Sequence, residues 1–394
     1  MSFHEHVRAA HAQGIARRDF LKKSSMVAVT VALGTTALPA LAAYIAPTRA
    51  RGATVLDVRN FGAVGDGVRN DTAAIQAAIN ALPADGGTVF VPGGTYMIDA
   101  VRNLRLRGQM HLQLAPDAKL VAIPNSVDRS YVLNVYKVSD VEISGGQIVG
   151  ERDQHTGTTG EWGHAIMVRG SKRVTVRDIH LSRCWGDGLS IGGAAATTGT
   201  IPSEDVAVTN IVSTGNRRQA VTIGRSRGVK IYDSELSYTS GIKPGCGVDI
   251  EPDPDSTEST SGVRIENCWI HHNAGNGIQV YKTVLNVVIK ACTVEHNQGY
   301  GVLLLNADSG YVVNNKFLHN RLYGVSARTA SHGYQISGNT FRNNKTMYFG
   351  VKESLGALTT IAGTGSSGTM KSSWQLEVTT DCYSMNVGTN YYAL

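Results

Sequence analysis

Four asparagines, Asn216, Asn273, Asn297 and Asn320, each stand four residues ahead of a small residue: Ala220, Gly277, Gly301 and Gly324. Cys184 stands in the same relation to Gly188, and Lys243 to Gly247. The small residues follow one another at 32, 27, 30, 24 and 23 positions. The last two are bare periods, and the earlier ones carry insertions such as Gly193–Ser203 and Asp253–Gly262. A period of this size marks stacked units that share one core, not a chain of separate globules.

Each small residue opens a pair of alternating apolar positions: Leu189/Ile191, Val221/Ile223, Val248/Ile250, Ile278/Val280, Val302/Leu304 and Val325/Ala327. A second run begins at Val174, Val206, Val229, Val263 and Val287, and a third short one follows at Cys268–Ile270 and Cys292–Val294. Three short strands in 23 or 24 residues is the arithmetic of a parallel β-helix, an all-β solenoid. Alternation turns one set of side chains inward, and successive coils lie about 4.8 Å apart. Asparagines stacked at a turn satisfy backbone groups and one another, so their recurrence needs no chemistry. Leu is too scarce at fixed spacing for a leucine-rich repeat.

A solenoid needs capped ends. Asn70 and Asp71, followed by Ala74, Ile75, Ala78, Ile79 and Leu82, predict an N-terminal capping α-helix. Periodicity fades after Asn344, which bounds the stack at residues 43–345 and leaves 346–394 as a C-terminal cap or side layer. Gly65-Asp66-Gly67 reads as a turn. Cys268 and Cys292 share a repeat position and read as stacked, inward-facing free thiols, with no spacing that suggests zinc.

Residues 1–42 read as an address. Ala16-Arg17-Arg18-Asp19-Phe20-Leu21-Lys22 resembles a twin-arginine export signal; a broken apolar run from Met26 to Leu41 ends in Ala40-Leu41-Ala42, a small-x-small cleavage pattern. The run is too short for a stable membrane anchor. The expected partner is the twin-arginine export machinery, and the expected location the periplasm or the exterior. The chain has 37 Lys+Arg against 31 Asp+Glu, but removing the leader leaves 32 and 29. No basic run with interleaved aromatics remains, so nucleic acid is not an expected partner.

The stretch Val55–Ile79, containing Asn60-Phe61-Gly62-Ala63-Val64-Gly65-Asp66-Gly67 and Asn70-Asp71-Thr72, followed by Gly86-Gly87-Thr88-Val89-Phe90-Val91-Pro92-Gly93-Gly94-Thr95-Tyr96, resembles the opening of the pectate-lyase-like superfamily. That superfamily holds polygalacturonases, rhamnogalacturonases, alginate epimerases, lyases and phage tailspikes. The resemblance implies a right-handed parallel β-helix that binds or acts on polysaccharide. The Asp-x-His-Glu motif of alginate-type epimerases is absent: the chain reads Asp249-Ile250-Glu251-Pro252. The Asn-Thr-Asp, Asp-Asp and Gly-His-Gly motifs of polygalacturonases are absent too.

The repeat register aligns outward columns. One holds His164, Asp187, Gln219, Cys246, Asn276, Tyr300 and Tyr323, and another holds Met167, Ser190, Thr222, Asp249, Gln279, Leu303 and Ser326. Asp249 and Glu251, two apart on one strand, share a side, and Asp187 lies two coils earlier, roughly 10 Å away by strand spacing. These three are the expected acid/base set for hydrolysis of an acidic exopolysaccharide. Arg217, Arg218, His164, Tyr281 and Lys282 are expected to bind substrate, with Trp162 and Trp185 as sugar platforms. No cofactor is expected. Three carboxylates also suit Ca²⁺, in which case an Arg or Lys would be the base and the reaction that of a lyase. A lyase or C5-epimerase on uronates, and a non-catalytic binding module, are the competing readings. The solenoid is expected as a monomer or a trimer.

Overall fold

The computed structural model describes residues 44–252, 260–345, 359–367 and 375–393. The expected leader at 1–42 lies outside them.

The chain winds as a right-handed parallel β-helix whose coils contribute strands to three parallel sheets. In the first sheet, Lys172–Arg177, Ser203–Thr209, Ser226–Tyr232 and Arg264–Glu266 stack in succession. The second holds strands such as His180–Ser182, Val212–Thr214, Glu235–Ser237 and Trp269–His271. The third stacks Arg129–Tyr136, Trp162–Arg169, Leu189–Gly192, Val221–Ile223, Val248–Ile250 and Ile278–Tyr281.

In-register stacking puts like above like. Val174, Val206, Val229, Val263 and Val287 form one fully buried column, and Ile191, Ile223, Ile250 and Val280 another. Each such side chain contributes about 1.5–3 kcal/mol of burial, which offsets the entropy of ordering the coil. The column of valines ends at Gly310, where a Cβ would come within 2.6 Å of the buried Tyr334 ring.

The turn into the third sheet carries the expected asparagine ladder. Nδ2 of Asn273, Asn297 and Asn320 each donates to Oδ1 of the next member at 2.9 Å, ending on Asn344. Thr239, not the expected Lys243, stands next to Asn273, its hydroxyl donating to Asn273 Oδ1. A second ladder, between the first and second sheets, runs Asn315, Asn339, Asn390. Cys292 occupies its preceding position, the backbone N–H donating to Asn315 Oδ1. All five cysteines are buried free thiols.

The N-terminal end is covered by the helix Thr72–Asn80, which buries Ile75, Ala78 and Ile79. Asp71 is its N-cap residue, but the side chain makes no cap bond. Its carboxylate instead accepts from the backbone N–H groups of Val64 and Gly65, tying the preceding turn to the helix. Residues 44–51 cross the outer face of the first sheet. Tyr44 stacks on Tyr232, Arg49 pairs with Asp205, and Arg51 pairs with the buried Glu142.

At the other end the stack continues beyond residue 345. Leu376–Val378 pairs with Val325–Arg328, and Tyr383–Ala393 pairs in parallel with both His332–Ser337 and Thr340–Arg342. Gln375 and Asn390 extend the two ladders by one rung. Thr359–Ser367 then pairs antiparallel with Tyr383–Ala393, which occupies the open edge. The sequence hides this coil because 30 intervening residues separate Lys345 from Leu376.

Candidate active site

The third sheet presents the expected columns in the expected register, with Ser190, Thr222, Asp249 and Gln279 side by side. Their surroundings differ from those of an open solenoid face. Asp187 and Asp249 are both fully buried, and His164 nearly so. Glu251 is half-buried one residue past its strand, its N–H bonded to the carbonyl of Ile223.

Arg218 sits among the carboxylates. Its Nη1 lies 3.4 Å from Asp187 Oδ2 and 3.4 Å from the Thr222 hydroxyl, and its Nε lies 3.2 Å from Glu161 Oε2. Gln219 spans the two buried aspartates: its backbone N–H donates to Asp187 Oδ1 and its Nε2 donates to Asp249 Oδ2. Gln279 Nε2 donates to Asp249 Oδ1.

Burial pushes the Asp249 carboxyl up to about 7, and the negative charge of Glu251 adds to this against the pull of Arg218. Burial also raises Asp187, opposed chiefly by Arg218. For Arg218, burial works to lower the pKa, but Asp187 and Glu161 outweigh it and the guanidinium is held charged. His164 Nδ1 accepts the Asp187 backbone N–H at 2.9 Å. Its lone pair is therefore committed, and the 3.5 Å approach to Asp187 Oδ2 is not an ion pair. Burial, with Arg169, Arg218 and Arg129 nearby, holds the ring neutral.

The remaining expected binding residues divide. Arg217 lies over the Trp185 ring at 3.6 Å and donates to the carbonyls of Gly160 and Trp185, which commits it to the loop at 151–161. Trp185 also stacks on His155 at 3.9 Å. Trp162 is 37% exposed beneath Arg129, with the guanidinium 4.7 Å from its ring. Tyr281 and Lys282 stand one coil beyond Glu251, the ammonium over its neighbour's ring. Among the described residues no three His, Cys, Asp or Glu side chains gather as a metal cluster. Arg218 lies against Asp187 and within reach of Asp249's charge, where a cation would otherwise sit.

Sequence reasoning missed Gln219, Gln279 and Asn276 as members of the site. All three stood in the aligned columns; an amide beside a carboxylate in adjacent rungs was the available signal.

Residues 55–113 match a family described as rhamnogalacturonase A/epimerase, pectate lyase-like, and residues 245–369 match one described as right-handed beta helix region. The chain has a right-handed parallel β-helix fold. An uncharacterized protein of Bacillus subtilis, YclG, is 30% identical over 220 residues, which are 50% of this chain and 38% of that one. The matching segment of the chain thus spans little more than a third of that relative. Among solved structures, the A-module of a mannuronan C-5 epimerase of Azotobacter vinelandii, AlgE6, superposes with a TM-score of 0.64 at 21% identity, covering 73% of this chain and 76% of the module. The Streptococcus pneumoniae surface protein and adhesin PfbA superposes with a TM-score of 0.61 at 20% identity, covering 74% of this chain and 86% of that one. Likeness at these identities is likeness of fold.

Proposed function

We propose that the protein is an exported enzyme that hydrolyses an acidic polysaccharide on the face of its third sheet. The observation that carries this reading is the pair of buried aspartates, Asp187 and Asp249, held on either side of Gln219 with Arg218 against them. A carboxyl whose pKa is raised to about 7 keeps its proton in about half of the molecules at neutral pH and can give it to a glycosidic oxygen. The bonding pair of the broken C–O bond stays on that oxygen. A second carboxylate, Asp187 or Glu251, takes a proton from the water that attacks the sugar carbon.

The charge pattern supports an acidic substrate. On the first sheet Arg177 pairs with Glu142, Arg173 with Asp140, Lys172 with Glu204, and Arg264 with Glu266. At the third sheet, Arg129, Lys137 and Lys282 lie over aromatic rings and have no ion-pair partner among the described residues. Cations without carboxylates beside aromatic faces suit a polymer of uronate sugars. The twin-arginine-like leader supports export to the periplasm or beyond, by the twin-arginine machinery.

The purified protein, incubated with a panel of acidic bacterial polysaccharides, tests the reading. New reducing ends without the ultraviolet absorbance of an unsaturated uronate are expected. Ends with that absorbance would make it a lyase, inversion at C5 without cleavage an epimerase, and binding alone a recognition module. Full activity in Asp249→Asn would remove Asp249 from the mechanism.

A further inference from the structure

Asp249 is held by two chains of amides whose orientation is set by the backbone. On one side, Gln219 Oε1 accepts the N–H of Cys246 at 2.6 Å, so its Nε2 must be the atom facing Asp249 Oδ2, at 2.9 Å. On the other side, Asn276 Oδ1 accepts the N–H of Tyr300 at 2.9 Å. Its Nδ2 therefore faces Gln279 Oε1, at 2.9 Å. That leaves Gln279 Nε2 as the group facing Asp249 Oδ1, at 3.1 Å. A backbone N–H can only donate, so neither chain can reverse its order of donors and acceptors.

Gln219 reaches Asp249 from the preceding coil and Gln279 from the following one. One lone pair on each carboxylate oxygen is filled from within the sheet. Neither amide can accept a proton from Asp249. The remaining lone pairs lie away from the two amides, within reach of the charges of Arg218 and Glu251.

We infer that Asn276, Gln279 and Gln219 are positioning residues that fix Asp249 in one orientation and confine any proton it carries to the side facing substrate. This rests on the proposed role of Asp249 as the acid. The same two donors then stabilise the carboxylate left after the proton has passed to the leaving oxygen. Burial and the charge of Glu251 push the carboxyl up, and the amides oppose that push.

The relay is tested without substrate, by carbon NMR of the protein labelled at its aspartate carboxyls, with the Asp249 signal assigned from Asp249→Asn. Gln279→Leu removes a donor to the ionised form, and the Asp249 midpoint is expected to rise by about one pH unit. Asn276→Leu frees Gln279 to turn and is expected to raise it as well. The two changes together are expected to shift it no further than Gln279→Leu alone, because they act on one chain. If Gln279→Leu does not fold, Gln279→Met gives the same reading with an unbranched side chain. A midpoint that stays put in Gln279→Leu, or shifts that add in the double variant, would overturn the relay. A shifted midpoint in a protein whose Asp249→Asn variant keeps full activity upholds the relay and removes the acid role instead. In the active enzyme, the alkaline limb of kcat is expected to move upward with the midpoint while KM stays unchanged.

Discussion

The guanidinium of Arg217 lies 3.6 Å above the indole of Trp185. The same indole stacks on His155, and Arg217 donates to the carbonyl of Gly160. Arg217 thus holds the loop that carries Glu161, which in turn faces Arg218. Replacing Arg217 by Ala removes a cation–π contact and two hydrogen bonds. It is expected to lower stability by about 1–2 kcal/mol in urea unfolding. A loss of substrate affinity with unchanged stability would instead show that Arg217 grips the sugar.

Asp249 makes the protein less stable as the pH rises. Its carboxyl titrates at about 7 in the fold, against about 3.9 unfolded. Below the lower value both states hold the proton; between the two, only the folded state does. Stability is therefore fullest below pH 4 and falls through pH 7, on the order of 2–4 kcal/mol for this group. The slope is expected to be missing from Asp249→Asn in guanidinium titrations across that range.

His272 has the opposite dependence. His272, His296 and His319 stack at centroid spacings of 4.9 Å. His271 lies against His272, with Tyr238 stacked on it and Glu235 and Glu295 around the adjoining strand. Burial pushes the pKa of His272 down to about 4, with help from the two neighbouring histidines. The unfolded chain takes up this proton near 6.5 and the folded chain only near 4. Stability is present above pH 6.5 and is lost as the pH falls toward 4. Because the ring is partly exposed, about 1–2 kcal/mol is expected. His272→Asn should flatten that limb. The two pH slopes oppose each other, so each is read as a difference between variant and parent.

The side chain of Asn297 carries four hydrogen bonds of its ladder. It accepts from the backbone and side chain of Asn273 and donates to Asn320 Oδ1 and to the carbonyl of Ile270. All are buried. Asn297→Ala is expected to cost about 2–4 kcal/mol, because the groups left behind cannot reach water. Asn297→Asp puts a carboxylate oxygen against two acceptors, Asn320 Oδ1 and the Ile270 carbonyl, and a loss at least as large is expected from the same denaturation curve.

The period of small residues, the alternating valines and isoleucines and the turn asparagines determined the coil and its three strands. Those signals are local, and stacking in register only repeats them. The column that holds Asp187 and Gln219, and the shared side of Asp249 and Glu251, followed from the same periodicity. Only the tertiary structure decided what surrounds those residues. Asp187 and Asp249 read as outward-facing and prove buried: Arg218 and Gln219 lie against Asp187, and Gln219 and Gln279 lie against Asp249. The final coil at 375–393 escaped notice because an insertion breaks the period while pairing across coils does not depend on chain distance. The orientation of Asp249 was invisible for a further reason. It is set by the N–H groups of Cys246 and Tyr300, which occur in every residue but proline and acquire direction only when the coils are stacked.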